Sequence, residues 1–312
     1  METQRKGKFA LKILSASIVM LLLVGFVYQS YSSYVDSTSF DKRGEMIDIG
    51  GYSLYVEDTG TGKVTVIFDA GMGDDSSVWN KVAEEVSQFS RVITYDRAGL
   101  GWSEESPHDR DSKVIVAELH SVLKDKDITG PIILVGHSFG GVNMQRYALT
   151  YPKDVSALVL VDSAHEDQIT KMPQASFLKK YLFKFGMWAA PVGIPRLYLS
   201  NINPEEKAKK STTKHQYTSL YEAEYFPRSL SELNELTPNI GNLPLVVVAR
   251  NKASSEIDNR KTRDLVWATL QEDIATRSTN STIIFSGERQ HSIHKRQPEI
   301  VVEAIQKLAE KL

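Results

Sequence analysis

Short runs of β-branched and aliphatic residues alternate along most of this chain with longer segments in which apolar residues recur every three or four positions. Val64–Phe68, Arg91–Tyr95, Ile132–Val135, Ala157–Val161, Leu245–Ala249 and Thr282–Phe285 are the short runs. Each is apolar with little alternation, the pattern of a strand buried on both faces. Ser112–Leu123, Val142–Leu149, Lys261–Ala275 and Glu299–Leu312 have helical spacing. Strand and helix in alternation predict an α/β fold with a mostly parallel sheet covered on both sides. Before the first of these units, Met46–Ile49 and Tyr52–Val56 flank Gly50-Gly51 and read as a hairpin.

Two stretches break the alternation. At the start, Arg5, Lys6 and Lys8 precede a run from Phe9 to Tyr28 whose only charge is Lys12. Twenty helical residues span about 30 Å, the thickness of a bilayer's hydrocarbon, so the run is long enough to cross a membrane. Its basic flank would stay cytoplasmic and place the rest of the chain outside. A cleaved signal peptide has the same order of charge then apolar residues, but this run is long for one and lacks well-placed small residues after Tyr28. The expected division is a basic tail at 1–8, an anchor at 9–28, a polar linker at 29–44 and an α/β domain at 45–312. The second break, from about 166 to 241, has no buried-strand pattern and holds many aromatic residues, among them Tyr181, Phe185, Trp188, Tyr198 and Phe226. It reads as a helical insertion leaving the sheet after Val161, in the place of a lid.

Composition narrows the chemistry. The 312 residues suffice for one large domain, and a net charge of −2 with mixed signs gives no footprint for nucleic acid. There is no cysteine, which removes disulfides, thiolate metal sites and a cysteine nucleophile. No metal-ligand spacing, phosphate-cradling loop or dinucleotide fingerprint is present, so no cofactor is expected.

The Ile132–Val135 run leads directly into Gly136-His137-Ser138-Phe139-Gly140-Gly141. A serine at a strand-to-helix turn needs a strained, positive-φ backbone, and neighbours without side chains two residues either way give it room. The helix start leaves N–H groups free to face developing negative charge. A serine hydroxyl also needs a base, and the base an orienting carboxylate. His291 and His294 both follow the last strand; His108, His120, His165 and His215 fall elsewhere, and the His137 side chain should point away from the serine.

Gly136–Gly141, the segment Tyr95–Ser103, Asp69-Ala70-Gly71-Met72-Gly73, and His291 followed by Pro298-Glu299 together resemble the α/β-hydrolase fold family over roughly 45–312. The likeness is to its serine esterase and lipase-like members with a helical lid. In such hydrolases the base lies about seven residues before a Pro-Glu that opens the last helix, which fits His291 and leaves His294 as a surface residue. The resemblance implies Ser138 as nucleophile and the Met72 and Phe139 N–H groups as oxyanion donors, although Ala70 stands where many relatives have histidine. The family's acid usually follows the penultimate strand, where this chain reads Arg250-Asn251-Lys252; the nearest carboxylates there are Glu256 and Asp258. Some relatives carry the acid at the end of the preceding strand, the place of Asp162, which is preferred because a strand end fixes a carboxylate better than a loop. Asp96 and Arg97 read as a structural pair or cap, and Asp74 and Asp75 as a helix start.

The resulting expectation is a membrane-anchored serine hydrolase acting on a small-molecule ester, with a lipid-like acyl group suggested by the aromatic insertion and the membrane. Amidase, thioesterase, lactonase and perhydrolase chemistry remain open, as does a hydrolase-fold receptor or scaffold that binds without turnover.

Overall fold

The computed structural model describes residues 2–128, 130–172, 177–251, 259–287 and 289–312. It divides into two compact units: Met1–Lys42 with Ser176–Tyr217, and Arg43–Ala175 with Thr218–Leu312.

The larger unit is built on one eight-stranded sheet. In chain order its strands are β1 (Glu45–Asp48), β2 (Ser53–Thr59), β3 (Thr65–Asp69), β4 (Arg91–Tyr95), β5 (Ile132–His137), β6 (Ala157–Val161), β7 (Leu245–Ala249) and β8 (Ser281–Phe285). Their spatial order is β1-β2-β4-β3-β5-β6-β7-β8. β1 and β2 form the expected antiparallel hairpin, β2 runs antiparallel to β4, and every pairing from β4 to β8 is parallel. Asp48 Oδ1 accepts from the N–H groups of both Gly50 and Gly51, closing the turn.

The smaller unit begins with α1 (Glu2–Ser39). Helices α2 (Asn80–Val86), α3 (Ser112–Asp125) and α4 (Phe139–Thr150) belong to the sheet unit. Among its described residues the insertion holds helices and no strand: α5 (Gln168–Lys171), α6 (Phe177–Trp188), α7 (Ile194–Tyr198), α8 (Pro204–Lys210) and α9 (Thr213–Glu235). The chain closes with α10 (Asn259–Ala275), α11 (Ile293–Arg296) and α12 (Pro298–Ala309).

Period two along buried strands sorts their side chains onto two cores. In β5, Ile132 and Leu134 join α3, α4 and α10 residues such as Leu119, Met144 and Ile274 on one side. Ile133 and Val135 face the other way, with Trp79, Val82 of α2 and Val301, Ile305 of α12. A continuous apolar run thus satisfies both faces at once.

α1 departs from the expected layout. Gln4–Ser39 is long and apolar enough to cross a membrane, with a mean hydropathy of 2.4 over its most apolar window. Residues 29–39, expected as a loose polar linker, continue the same helix. The reason is tertiary: Gln29, Ser33 and Asp36 lie one turn apart and find partners in residues 196–211 of the same unit. Polar side chains that look solvated in sequence are here a contact face.

Candidate active site

Ser138 ends β5 and caps α4 with φ 53° and ψ −116°, well outside the regions that non-glycine residues favour. The reason its neighbours are glycines is visible in the packing. A Cβ on Gly136 would meet Gly140 O at 2.5 Å, and one on Gly140 would meet Asp69 O at 2.4 Å, so backbone occupies both places. The turn is tied to the next strand by Ser138 N–H to Val161 O (3.2 Å) and by Ala164 N–H to Ser138 O (2.9 Å). Such over-determination holds the strained conformation in place.

Asp162 follows β6, also with a positive φ of 44°, and its carboxylate is fully buried. Its Oδ2 accepts from His291 Nδ1 at 2.6 Å. Its Oδ1 accepts from Trp267 Nε1 at 2.7 Å and from Arg250 N–H at 3.1 Å, and the Arg250 guanidinium lies 3.5 Å from Oδ2. Burial alone would raise its pKa; the His291 hydrogen bond and charge, with Arg250, outweigh that and hold the carboxyl below the usual range. The position after β7, where family members usually carry the acid, thus holds an arginine whose N–H and side chain serve the carboxylate of the preceding strand. Glu256 and Asp258 lie outside the described residues.

With Nδ1 engaged by Asp162, the nitrogen of His291 left for proton exchange is Nε2. The His291 side chain is 38% exposed. The His137 ring supports it from the elbow: its Nε2–H donates to His291 O at 3.1 Å, and the two ring centroids are 4.5 Å apart. Among the described residues Ser138 Oγ makes no hydrogen bond, which is common before substrate tightens a site.

His294 is not the surface residue that the sequence reading made it. It is 1% exposed, its ring lies 4.5 Å from Trp79 and 4.3 Å from His137, and among the described residues neither of its nitrogens has a hydrogen-bond partner. Burial, with the Lys295 and His291 charges, drives its pKa down to about 3. His137 is likewise held far below its ordinary value, mainly by burial. The two therefore stay neutral beside His291.

Phe139 N–H is one of the free donors at the start of α4, and the Met72 N–H has no acceptor among the described residues. The Met72 loop is held by a buried arginine. Arg97 Nη1 donates to Asp69 Oδ1 (2.6 Å) and Ala70 O (2.7 Å), and Nη2 to Gly71 O (2.7 Å). Its Nε meets Glu222 Oε1 at 2.7 Å, while Glu222 Oε2 accepts from Gly73 N–H at 2.8 Å. Asn143 completes Asp69 at 2.7 Å. Arg97 and Asp96 are structural, as expected, but not as a pair: Asp96 instead accepts from Ser76 and from Trp102 N–H. Asp75 caps the turn at Ser76–Trp79 through Ser77 N–H, the helix start read from the sequence.

Within the sheet unit the second half of α9 reaches the elbow. Phe226 packs edge-on against Phe139 with centroids 5.5 Å apart, and Leu230 and Leu233 join Phe139, Val142 and Met72 in a small apolar cluster. Glu222, Trp267 and Arg250 escaped the sequence reading. Trp267 lies 105 residues from Asp162 and Glu222 lies 125 from Arg97, separations at which no local pattern survives. Among the described residues, His165, Glu166 and Asp273 alone are spaced like metal ligands. Arg277 already occupies them, donating to both Glu166 oxygens at 2.7 Å and lying 3.5 Å from Asp273, so the cluster reads as an ion-pair network.

Comparison with known proteins agrees with this layout. The α/β-hydrolase fold family matches residues 64–192. The uncharacterized protein YqjL of Bacillus subtilis (strain 168) is 31% identical over 246 residues, 79% of this chain and 83% of that protein. A probable hydrolytic enzyme from Pseudomonas aeruginosa PAO1 superposes with a TM-score of 0.64 at 19% identity, covering 86% of this chain and 95% of the other. A thermophilic esterase from Thermogutta terrifontis gives 0.57 at 23% identity, covering 83% and 94%. Taken with the sheet order and the serine elbow, these matches place the chain in the α/β-hydrolase fold family.

Proposed function

We propose that this hydrolase is a membrane-anchored serine esterase with Ser138, His291 and Asp162 as its triad. The observation that carries the reading is the 2.6 Å bond from His291 Nδ1 to a buried, ionised Asp162, on a histidine that follows the last strand of an elbow-bearing sheet. Ser138 Oγ adds to the ester carbonyl while His291 Nε2 takes its proton, and Asp162 stabilises the imidazolium. The oxyanion is received by the Met72 and Phe139 N–H groups, each worth about 2.7–4 kcal/mol when well placed. The imidazolium then protonates the departing alcohol and leaves an acyl-Ser138, which water, deprotonated by the same histidine, hydrolyses to the acid. Asp162 is favoured over Glu256 and Asp258 because it already holds the base. Serine at the elbow, where alkyl-enzyme chemistry would need a carboxylate, favours acyl transfer. The apolar run of α1, flanked by Arg5, Lys6 and Lys8, supports an anchor with the catalytic unit on the outer side.

The test is labelling of the full-length protein with a fluorophosphonate and turnover of p-nitrophenyl esters of graded acyl length. Stoichiometric labelling lost in Ser138→Ala, with hydrolysis of at least one ester, is the expected result. No labelling and no turnover at any chain length would leave a binding protein on a hydrolase fold. Protease access on intact cells tests the orientation, and full protection of the catalytic unit would overturn the outward placement.

A further inference from the structure

The smaller unit has two features that the catalytic reading leaves unused: a buried polar stripe on α1 and an exposed aromatic face on α6 and α7. The stripe runs Gly25, Gln29, Ser33, Asp36, the spacing of one helix face. At Gly25 the helix touches the turn before α7: a Cβ there would lie 2.7 Å from Val192 O. One turn on, Gln29 is 3% exposed; its Nε2 donates to Ser211 O at 2.8 Å and its Oε1 accepts from Arg196 Nε at 2.8 Å. Arg196, itself 5% exposed, also donates to Ser33 Oγ at 3.2 Å and pairs with Asp36 at 2.6 Å. Directional bonds between buried groups fix the helix against residues 190–211 both in rotation and along its axis.

That register has a consequence for depth. The apolar run ends at Tyr28, and Val192 meets the helix at Gly25, three residues and about 4.5 Å further in. A bilayer that covers the apolar run up to Tyr28 would place this part of the insertion in its interface. The residues that the insertion exposes have the matching chemistry. Tyr181, Phe185 and Trp188 are 64, 67 and 73% exposed at i, i+4 and i+7 on α6, and Leu197 and Tyr198 of α7 are exposed beside them. Large aromatic side chains on one helix face are costly in water and favoured at the headgroup boundary.

We propose that this face of α6 and α7 is a lipid-contacting surface, so that the protein is held by a spanning helix and a second, interfacial element locked to it. The proposal rests on the anchor reading above.

The experiment uses the full-length protein reconstituted in phosphatidylcholine vesicles whose acyl chains carry bromine, with iodide as the aqueous quencher. The fluorescence of Trp188 is obtained as the difference between the wild type and Trp188→Phe, an exposed aromatic exchange. At least twofold quenching by bromolipid, with weak quenching by iodide, is expected. A Phe185→Trp probe placed in the Trp188→Phe background should behave alike. Strong iodide quenching without a bromolipid effect would overturn the proposal, and shielding from both would assign the face to protein contact and overturn it equally. Flotation of the same vesicles separates the two readings: a chain that fails to float defeats the anchor and with it this surface, whereas a floating chain with a water-exposed Trp188 defeats the surface alone.

Discussion

Two carboxylates stand at strand ends in the sheet unit, both fully buried, and differ chiefly in what they hold. Asp69, closing β3, holds Arg97, which in turn holds two backbone carbonyls and Glu222. Asp162, after β6, holds His291, which is more than a third exposed. A guanidinium never gives up its proton in a protein, so the first pair can only fix the Met72 loop; an imidazole can, so the second pair can pass a proton on. The same side chain in similar burial becomes scaffold or chemistry according to its partner.

The sharpest way to break this contrast is Asp162→Asn. Turnover should fall about 10⁴-fold while the folded state survives, because the asparagine cannot hold the imidazole in the right tautomer or stabilise its charge. Steady-state kinetics with urea unfolding checks both halves, and a loss under tenfold would remove Asp162 from its role. Arg97→Ala should do the reverse. It leaves two buried carboxylates without their cation, and about 3–5 kcal/mol of stability should be lost, read from the urea midpoint. If the variant unfolds as the wild type does, the network is not structural. A smaller effect extends the contrast to the histidines. His294 stays neutral in the fold down to about pH 3, whereas the unfolded chain takes up its proton near pH 6.5, so the depressed folded pKa makes stability fall as pH drops below 6.5. At pH 5 that amounts to about 2 kcal/mol, and His294→Phe, which keeps the ring against Trp79, should recover it. Unfolding at pH 7 and pH 5 would show the variant losing less than the wild type; equal losses would mean that His294 is not the buried neutral group described.

Much of the sheet was legible in sequence because a strand buried on both faces leaves a dense local trace. Arg91–Tyr95, Ala157–Val161 and Leu245–Ala249 were read to the residue. The Ser138 turn was legible for a related reason: both glycines stand within two residues of the serine, although the backbone that Gly140 makes room for belongs to Asp69. What failed was whatever depended on distant partners. His294 reads as a surface residue from its sequence, yet Trp79 covers it. Gln29, Ser33 and Asp36 looked like linker because their helical spacing is written in polar residues, and hydrophobic periodicity does not count those. Trp267 and Glu222 had no nearby feature to mark them.

The bond from Gln29 to Ser211 joins residues 182 apart, and this sets an order of assembly. At about 5–20 residues per second of synthesis, Gln29 emerges roughly 9–36 s before Ser211 exists. During that interval Gln29, Ser33 and Asp36 lack their partners in residues 196–211 and have only water and the bond from Gln29 Nε2 to Ser33 Oγ. Under the anchor proposed above, placing them just beyond Tyr28, rather than within the apolar run, would let the helix enter a bilayer without carrying unsatisfied polar groups into the hydrocarbon. The helix that is made first then waits, already positioned, as the template on which residues 190–211 close.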